Sequence, residues 1–324
     1  MIMVACLLSL ACQKDADVPL EKEGKMIQVP LNLEAESVCF SGDTKALTPY
    51  IPDYENLIYD IWVLQYSSRG VLLSSTVKQY RVSEEGRMKI SDLDISLIES
   101  EEDCTVCLLV NMGSDPLKGM PWPDNLETYK RVMVPVEMNS AEGGGLKMPM
   151  NGFYHGPVPP VDVDYLEGEG SSEYNGGLNV TLGRMMCRIN IILNNALTTE
   201  GYTEITRLDV RMENMPDKAH IFPTVEYVMP DRSILGSESD TVTKSINPGE
   251  SQNFYYYIAP NLYLYEEGGT DFRTKFHVNA AITNLGERSG TMILGNNGPD
   301  TPVRDYRLYP NNNYTFTINL TNKQ

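Results

Sequence analysis

An all-β fold is predicted from three observations. Apolar and polar residues alternate at period two in several separate stretches, as they do in strands buried on one face. Twenty Pro and 25 Gly punctuate a 324-residue chain that is also rich in Tyr, Val, Ile and Thr, a composition of short strands and turns. Sustained helical periodicity is hard to find, and Asp124–Arg131 is the best candidate for a short helix. A chain this long has room for about two domains, each with its own core.

Residues 1–12 are continuously apolar and too few to span a membrane, which takes about 20 residues. They end in small residues before Cys12 and read as the core of a secretion signal. No Lys or Arg precedes Cys12, so a start codon further upstream is expected. Residues 13–25 are charged and contain Pro, as a tether does. Ile27, Val29, Leu31 and Leu33 then alternate with polar residues and Pro30. Pro30 cannot donate a ladder hydrogen bond, which predicts an edge strand. Ser41–Ala46 is polar and expected to be exposed.

Strands are predicted at Leu57–Tyr66, closed by a turn at Ser67–Gly70, and at Val71–Val77, Cys104–Val110 and Val132–Val136. Pro157–Gly177 is dense in Pro, Gly, Ser and acid, and the domain boundary is placed there. Leu178, Val180 and Leu182 share one parity and Ile189, Ile191 and Leu193 the other, which predicts a bulge near Gly183. Later strands are predicted at Ile205–Met212, Phe254–Ile258, Phe276–Ile282 and Thr291–Leu294. In the last strand Tyr314, Phe316, Ile318 and Leu320 share one face.

Twenty-six Lys and Arg stand against 44 Asp and Glu, a net charge of −18. Nucleic-acid affinity rests on cations that neutralise phosphates, so nucleic acid is not an expected partner. His155, His220 and His277 are too far apart in sequence for a helical zinc motif. Walker A, G-x-S-x-G and G-x-G-x-x-G are absent, and the chain is read as a non-enzyme with no cofactor, metal or catalytic residue. Asp162, Asp164, Glu167, Glu169 and Glu173 form an acidic run, but Leu166 stands where a calcium loop needs Asp or Asn. Cys104 and Cys107 have C-x-x-C spacing, yet in a strand they point to opposite faces, and they are read as half-buried core thiols. Tyr255–Tyr257, Tyr263 and Tyr265 are read as strand residues rather than a sugar platform.

Ser9–Cys12 resembles a lipobox, with Cys12 the lipid acceptor. Several spaced stretches together resemble the fimbrillins, the type V pilus subunits of anaerobic Gram-negative bacteria. They are Thr44-Lys45-Ala46, Asn56–Gly70, Met148-Pro-Met-Asn-Gly152, Leu182-Gly-Arg-Met-Met-Cys-Arg-Ile189, Tyr257-Ile-Ala-Pro-Asn261 and Arg307-Leu-Tyr-Pro-Asn-Asn-Asn-Tyr314. The resemblance implies two transthyretin-like Greek-key β-sandwich domains with one or two short helices. It divides the chain into a signal (1–12), a tether and removable first strand (13–45), an N-terminal sandwich (46–175) and a C-terminal sandwich (176–324). It further implies an outer-membrane lipoprotein precursor, cut between Lys45 and Ala46 by a trypsin-like protease that releases Ile27–Leu33. Other pilin subunits would then be the partners, joined by strand exchange in an adhesive, biofilm-supporting surface fimbria, with Tyr314–Leu320 as the donor candidate. The competing expectation is an uncut surface lipoprotein, pilus tip or anchor that binds a glycan or host protein.

Overall fold

The computed structural model describes residues 24–35, 39–42, 57–79, 94–137, 139–140, 146–159, 177–197, 203–223, 235–262, 271–295 and 306–321. These residues form strands β1 (Met26–Ala35), β2 (Cys39–Gly42), β3 (Asp60–Tyr66), β4 (Leu72–Gln79), β5 (Asp94–Ile98) and β6 (Ser100–Val110). The helix α1 (Leu126–Tyr129) is followed by β7 (Met133–Pro135), β8 (Asn139–Ser140), β9 (Leu146–Lys147) and β10 (Met150–Val158). Then come β11 (Leu178–Arg184), β12 (Cys187–Asn195), β13 (Ile205–Pro216), β14 (Lys218–His220) and β15 (Leu235–Val242). The series closes with β16 (Ser251–Ile258), β17 (Lys275–Ile282), β18 (Gly286–Ile293) and β19 (Asn312–Leu320). The fold is all-β, as the alternation predicts. Its single described helix lies inside the Asp124–Arg131 candidate and is capped by Asn125, whose side chain accepts from the Glu127 and Thr128 amides.

Buried apolar side chains gather in two clusters. The first is built on a seven-stranded sheet in the order β4-β3-β6-β10-β11-β1-β5. Every residue of β6 from Cys104 to Val110 is buried, so both faces of this strand are covered. On one face Tyr129 of α1 packs beside Cys107, and on the other Gln65 lies at hydrogen-bond distance from Cys104. The thiols diverge as the strand period requires, but they are fully buried rather than half-buried. Gly152 of β10 packs tightly against β11, and a Cβ there would stand 2.6 Å from the Thr181 carbonyl oxygen.

The second cluster lies between two four-stranded sheets, β16-β12-β19-β2 and β15-β13-β17-β18. Strict alternation of buried and half-buried residues along β12 and β17 places one face of each against this core. A small ladder of β7 with β14 links the two parts of the chain, and Ala219, Ile221 and Phe222 pack into the first core.

Three expectations need correction. The parity change near Gly183 is a change of sheet: Met185 and Met186, both buried, form the bend between β11 in the first core and β12 in the second. The chain thus passes between cores at Met186–Cys187, after β11, while the boundary expected at 175/176 lies outside the described residues. Ser41 and Gly42 belong to β2 rather than to a purely polar loop. And β1 is not an edge strand, for a reason that bears on the candidate site.

Candidate functional site

Chain N-terminal to the expected cut supplies one strand to each of two sheets. β1 changes partner halfway along. Met26–Pro30 pair antiparallel with β5, and Leu31–Ala35 pair parallel with β11. Pro30 occupies the last position opposite β5, at Asp94, where the ladder passes from one partner to the other. A proline at this handover leaves little of the ladder unsatisfied, which is how it fits in an interior strand. β2 then joins the second sheet, parallel to β19, from Cys39 opposite Asn312 to Gly42 opposite Thr315.

The alternation that predicts the strand also seats it. Ile27, Val29 and Leu31 are buried, and Leu33 is half-buried against the same core. Val29 and Ile27 lie opposite Ile95 and Leu97, both fully buried. On the other parity, the Gln28 amide donates to Ser96 Oγ at 2.7 Å. Just before the strand, the Glu99 amide donates to the Lys25 carbonyl at 2.9 Å. A Cβ on Gly24 would come within 2.5 Å of Ile98 Cγ2 and 2.7 Å of the Glu99 carbonyl oxygen, so this entry point is shaped for glycine.

The far side of β5 is held by a side chain. Gln65, fully buried on β3, donates from Nε2 to the Ile98 carbonyl and accepts at Oε1 from the Ile98 amide, both at 2.7 Å. One side-chain amide thus stands in for a rung of β-ladder and curls the sheet back on itself. At the end of β11, Arg184 is buried and donates from Nη1 to Asn311 Oδ1 at 2.9 Å, while the Asn311 amide donates to the Met186 carbonyl. This tie joins the end of β11, which carries β1, to the start of β19, which carries β2. Asn311 has φ 56°, a left-handed position that Asn tolerates at a turn.

The sequence-designated donor residues behave as core. Tyr314 is fully buried, and Phe316, Ile318 and Leu320 pack against the second cluster. β19 is paired with β12 along its length, from Asn313 at Arg188 to Leu320 at Asn195. Within this chain it is an interior strand of its own sheet. Cys12 and the Lys45–Ala46 bond lie outside the described residues, as do Tyr263, Tyr265 and the acidic run from Asp162 to Glu173.

The remaining motif residues have structural surroundings. Asn261 is fully buried, and its side-chain amide donates to the carbonyls of Asn214 and Phe272 and to Thr274 Oγ1. Arg188 stacks over Tyr255 and Tyr257, with its guanidinium carbon 5.2 and 6.0 Å from the ring centroids. Burial pushes the thiols of Cys107 and Cys187 well above the ordinary range. No group of three His, Cys, Asp or Glu among the described residues could hold a metal. None of the described helices is long and apolar enough to cross a membrane.

Sequence reasoning missed an aromatic chain. Trp62 and Trp122 lie 5.1 Å apart, Trp122 reaches Tyr129 at 6.3 Å, and Tyr129 meets Tyr66 at 5.4 Å and Phe222 at 6.2 Å. These rings come from strands and loops distant in sequence, so no local pattern announces them. They cover the face of the first sheet beneath α1 and are core rather than a platform.

Comparison with known proteins places this architecture. No family model matches the chain, and no curated protein matches it. Among solved structures, a candidate cell adhesion protein from Parabacteroides distasonis superposes with a TM-score of 0.62 at 16% identity, covering 94% of this chain and 90% of that one. The tip fimbrial protein Mfa3 from Porphyromonas gingivalis, with C-terminal truncation, gives 0.54 at 11% identity over 92% and 97%. A fimbrilin from Porphyromonas gingivalis W83 gives 0.51 at 11% identity over 90% of each chain. The chain has the fimbrillin fold. In this chain β1 is seated against Ile95, Leu97, Leu178, Val180 and Leu182.

Proposed function

We propose that this chain is a structural subunit of a cell-surface fimbria, made as a precursor lipidated at Cys12, cut after Lys45 and assembled by β-strand exchange to support adhesion and biofilm formation. The observation that carries the reading is that β1 and β2 both precede Lys45 and lie in two different sheets. A single cut there releases both strands from their covalent connection to the rest. Departure of β1 leaves unpaired backbone on β5 and β11 above a row of buried apolar residues, which an extended strand with matching alternation can refill. Departure of β2 opens the edge of β19. The partners are other pilin subunits, a trypsin-like protease that performs the cut, and the outer membrane through the lipid before it. The cut removes more acid than base, which eases charge repulsion between neighbouring subunits. Two sandwich units, meeting near Met186–Cys187, form the body that remains. No catalytic role is proposed.

The test is N-terminal sequencing of protein sheared from intact cells, with wild type and Lys45→Gln side by side. Wild type is expected to start at Ala46 in high-molecular-weight material, and Lys45→Gln to remain monomeric with its N-terminal segment attached. Recovery of wild type only as an uncut, lipidated monomer would overturn the reading in favour of an anchor or binding lipoprotein.

A further inference from the structure

Among the described residues, β5 has one strand partner, and that partner is β1. A short edge strand whose only neighbour is withdrawn ordinarily frays, because its backbone groups then gain more from water than from staying in place. If β5 frayed when β1 left, half of the groove would vanish with the strand that had filled it. We propose that Gln65 is a positioning residue that holds β5 in place while the groove is empty, so that an incoming strand meets a preformed acceptor. This rests on the strand-exchange reading above and adds to it the residue that keeps the acceptor edge.

The geometry divides the two edges of β5 between two tasks. In an antiparallel pair, successive residues turn their N–H and C=O alternately toward and away from the partner. Glu99 turns toward the β1 side, where its amide donates to Lys25, and by the same alternation Leu97 does so opposite Ile27. Ile98 turns away, and both of its backbone groups are taken by the Gln65 amide. Loss of β1 therefore breaks the contacts of Leu97 and Glu99 and leaves those of Ile98 intact. An amide is the side-chain group suited to this, since it offers one donor and one acceptor side by side, as a peptide unit does. Gln65 is itself fixed, because its backbone is inside the β3–β6 ladder opposite Val106, and its Nε2 lies 3.5 Å from Cys104 Sγ. The anchor belongs to chain that remains after the cut. Ile95 and Leu97, both fully buried, then present the same apolar positions that β1 had matched. Preorganisation of this kind strengthens binding by removing the ordering cost from the association step.

The experiment uses the full chain with a sequence-specific protease site placed at Lys45-Ala46, as wild type and as Gln65→Met, which keeps side-chain length and removes the amide. Single-residue amide exchange is followed at Ile98 and Glu99 before the cut and after the released segment has been washed away in mild urea. In wild type the cut should open Glu99 and leave Ile98 protected. In Gln65→Met, Ile98 should exchange faster already in the intact chain and lose its protection after the cut. A synthetic peptide of residues 24–42 should rebind the emptied variant roughly tenfold or more weakly than wild type, the scale of two lost buried hydrogen bonds. Should Gln65→Met not fold, Gln65→Asn, which keeps the amide but is too short to reach Ile98, gives the same comparison. Equal Ile98 exchange in variant and wild type, or equal peptide affinity, overturns the proposal. The two readings fail separately. Emptied wild type that keeps Ile98 protected but never oligomerises refutes strand exchange and leaves the anchor standing. Emptied variant that oligomerises as fast as wild type refutes the anchor and leaves strand exchange standing.

Discussion

Leu31→Ala should cost the uncut chain about 3 kcal/mol of stability. Leu31 is fully buried and opposes Leu178, also fully buried, at the first pair of the parallel ladder with β11. Truncating a buried Leu to Ala costs about 2–5 kcal/mol, and more where the surroundings cannot collapse into the space. Here β1 is fixed by β5 on one side of Pro30 and by β11 on the other, so little collapse is available and the middle of the range applies. With an m-value near 3 kcal/mol/M in urea, the unfolding midpoint should fall by about 1 M. Trp62 and Trp122 pack against the same core, so their fluorescence reports the transition directly. A midpoint shift of less than a third of that size would refute the reasoning that Leu31 fills a site in the first core that cannot collapse around it.

Other outcomes are also expected. Gly152→Ala should destabilise the chain by about 1–3 kcal/mol, since the added Cβ meets the Thr181 carbonyl and Val180 Cγ1 at 2.6 and 2.8 Å; thermal unfolding measures it, and an unchanged midpoint would show that β10 and β11 can move apart freely. The Asp271 carboxylate accepts from the Arg273 guanidinium at 2.7 Å and lies 3.2 Å from Lys275, which holds its pKa near 2 against a usual 3.8. A depressed carboxylate contributes stability that is complete above about pH 4 and is lost as pH falls through about 2. Asp271→Asn should therefore flatten the melting temperature over that acid window, and identical pH profiles would exclude the pair as a contributor. Cys104, Cys107 and Cys187 are buried, and burial raises their pKa values. Peptide mapping after reaction with a thiol reagent at pH 8 should find them unmodified in folded protein and modified in urea, and native labelling would mean that β6 or β12 opens readily.

Most strands were legible because their burial is one-sided. The alternation of Ile27, Val29, Leu31 and Leu33, and that of Tyr314 to Leu320, maps directly onto β1 and β19. What the alternation cannot carry is the neighbour. Pro30 reads as an edge because a single partner along the strand is assumed, whereas β1 has two in succession. The β11–β12 bend reads as a bulge because parity records a slip but not whether the sheet continues. β15, Leu-Gly-Ser-Glu-Ser-Asp-Thr-Val, has almost no strand propensity of its own and forms by pairing with β13. β5 is five residues long with only Ile95 and Leu97 apolar in its interior, too short for a periodic signal. Of the site, the first strand could be found from sequence, while Gln65 could not. It is one polar residue in the run Asp-Ile-Trp-Val-Leu-Gln-Tyr, and its role exists only once β5 is folded back against β3.

The pairing of Cys39 with Asn312 sets an order of events in time. Neighbouring strands such as β3 with β4 and β17 with β18 close short loops and can form early, whereas β2 cannot dock until nearly the whole chain has been made and β19 is in place. β2 is thus among the last strands to find its position, although it precedes β19 by about 270 residues in the chain. A strand that arrives last on a finished sheet edge is also one that can depart without any other strand having to move first.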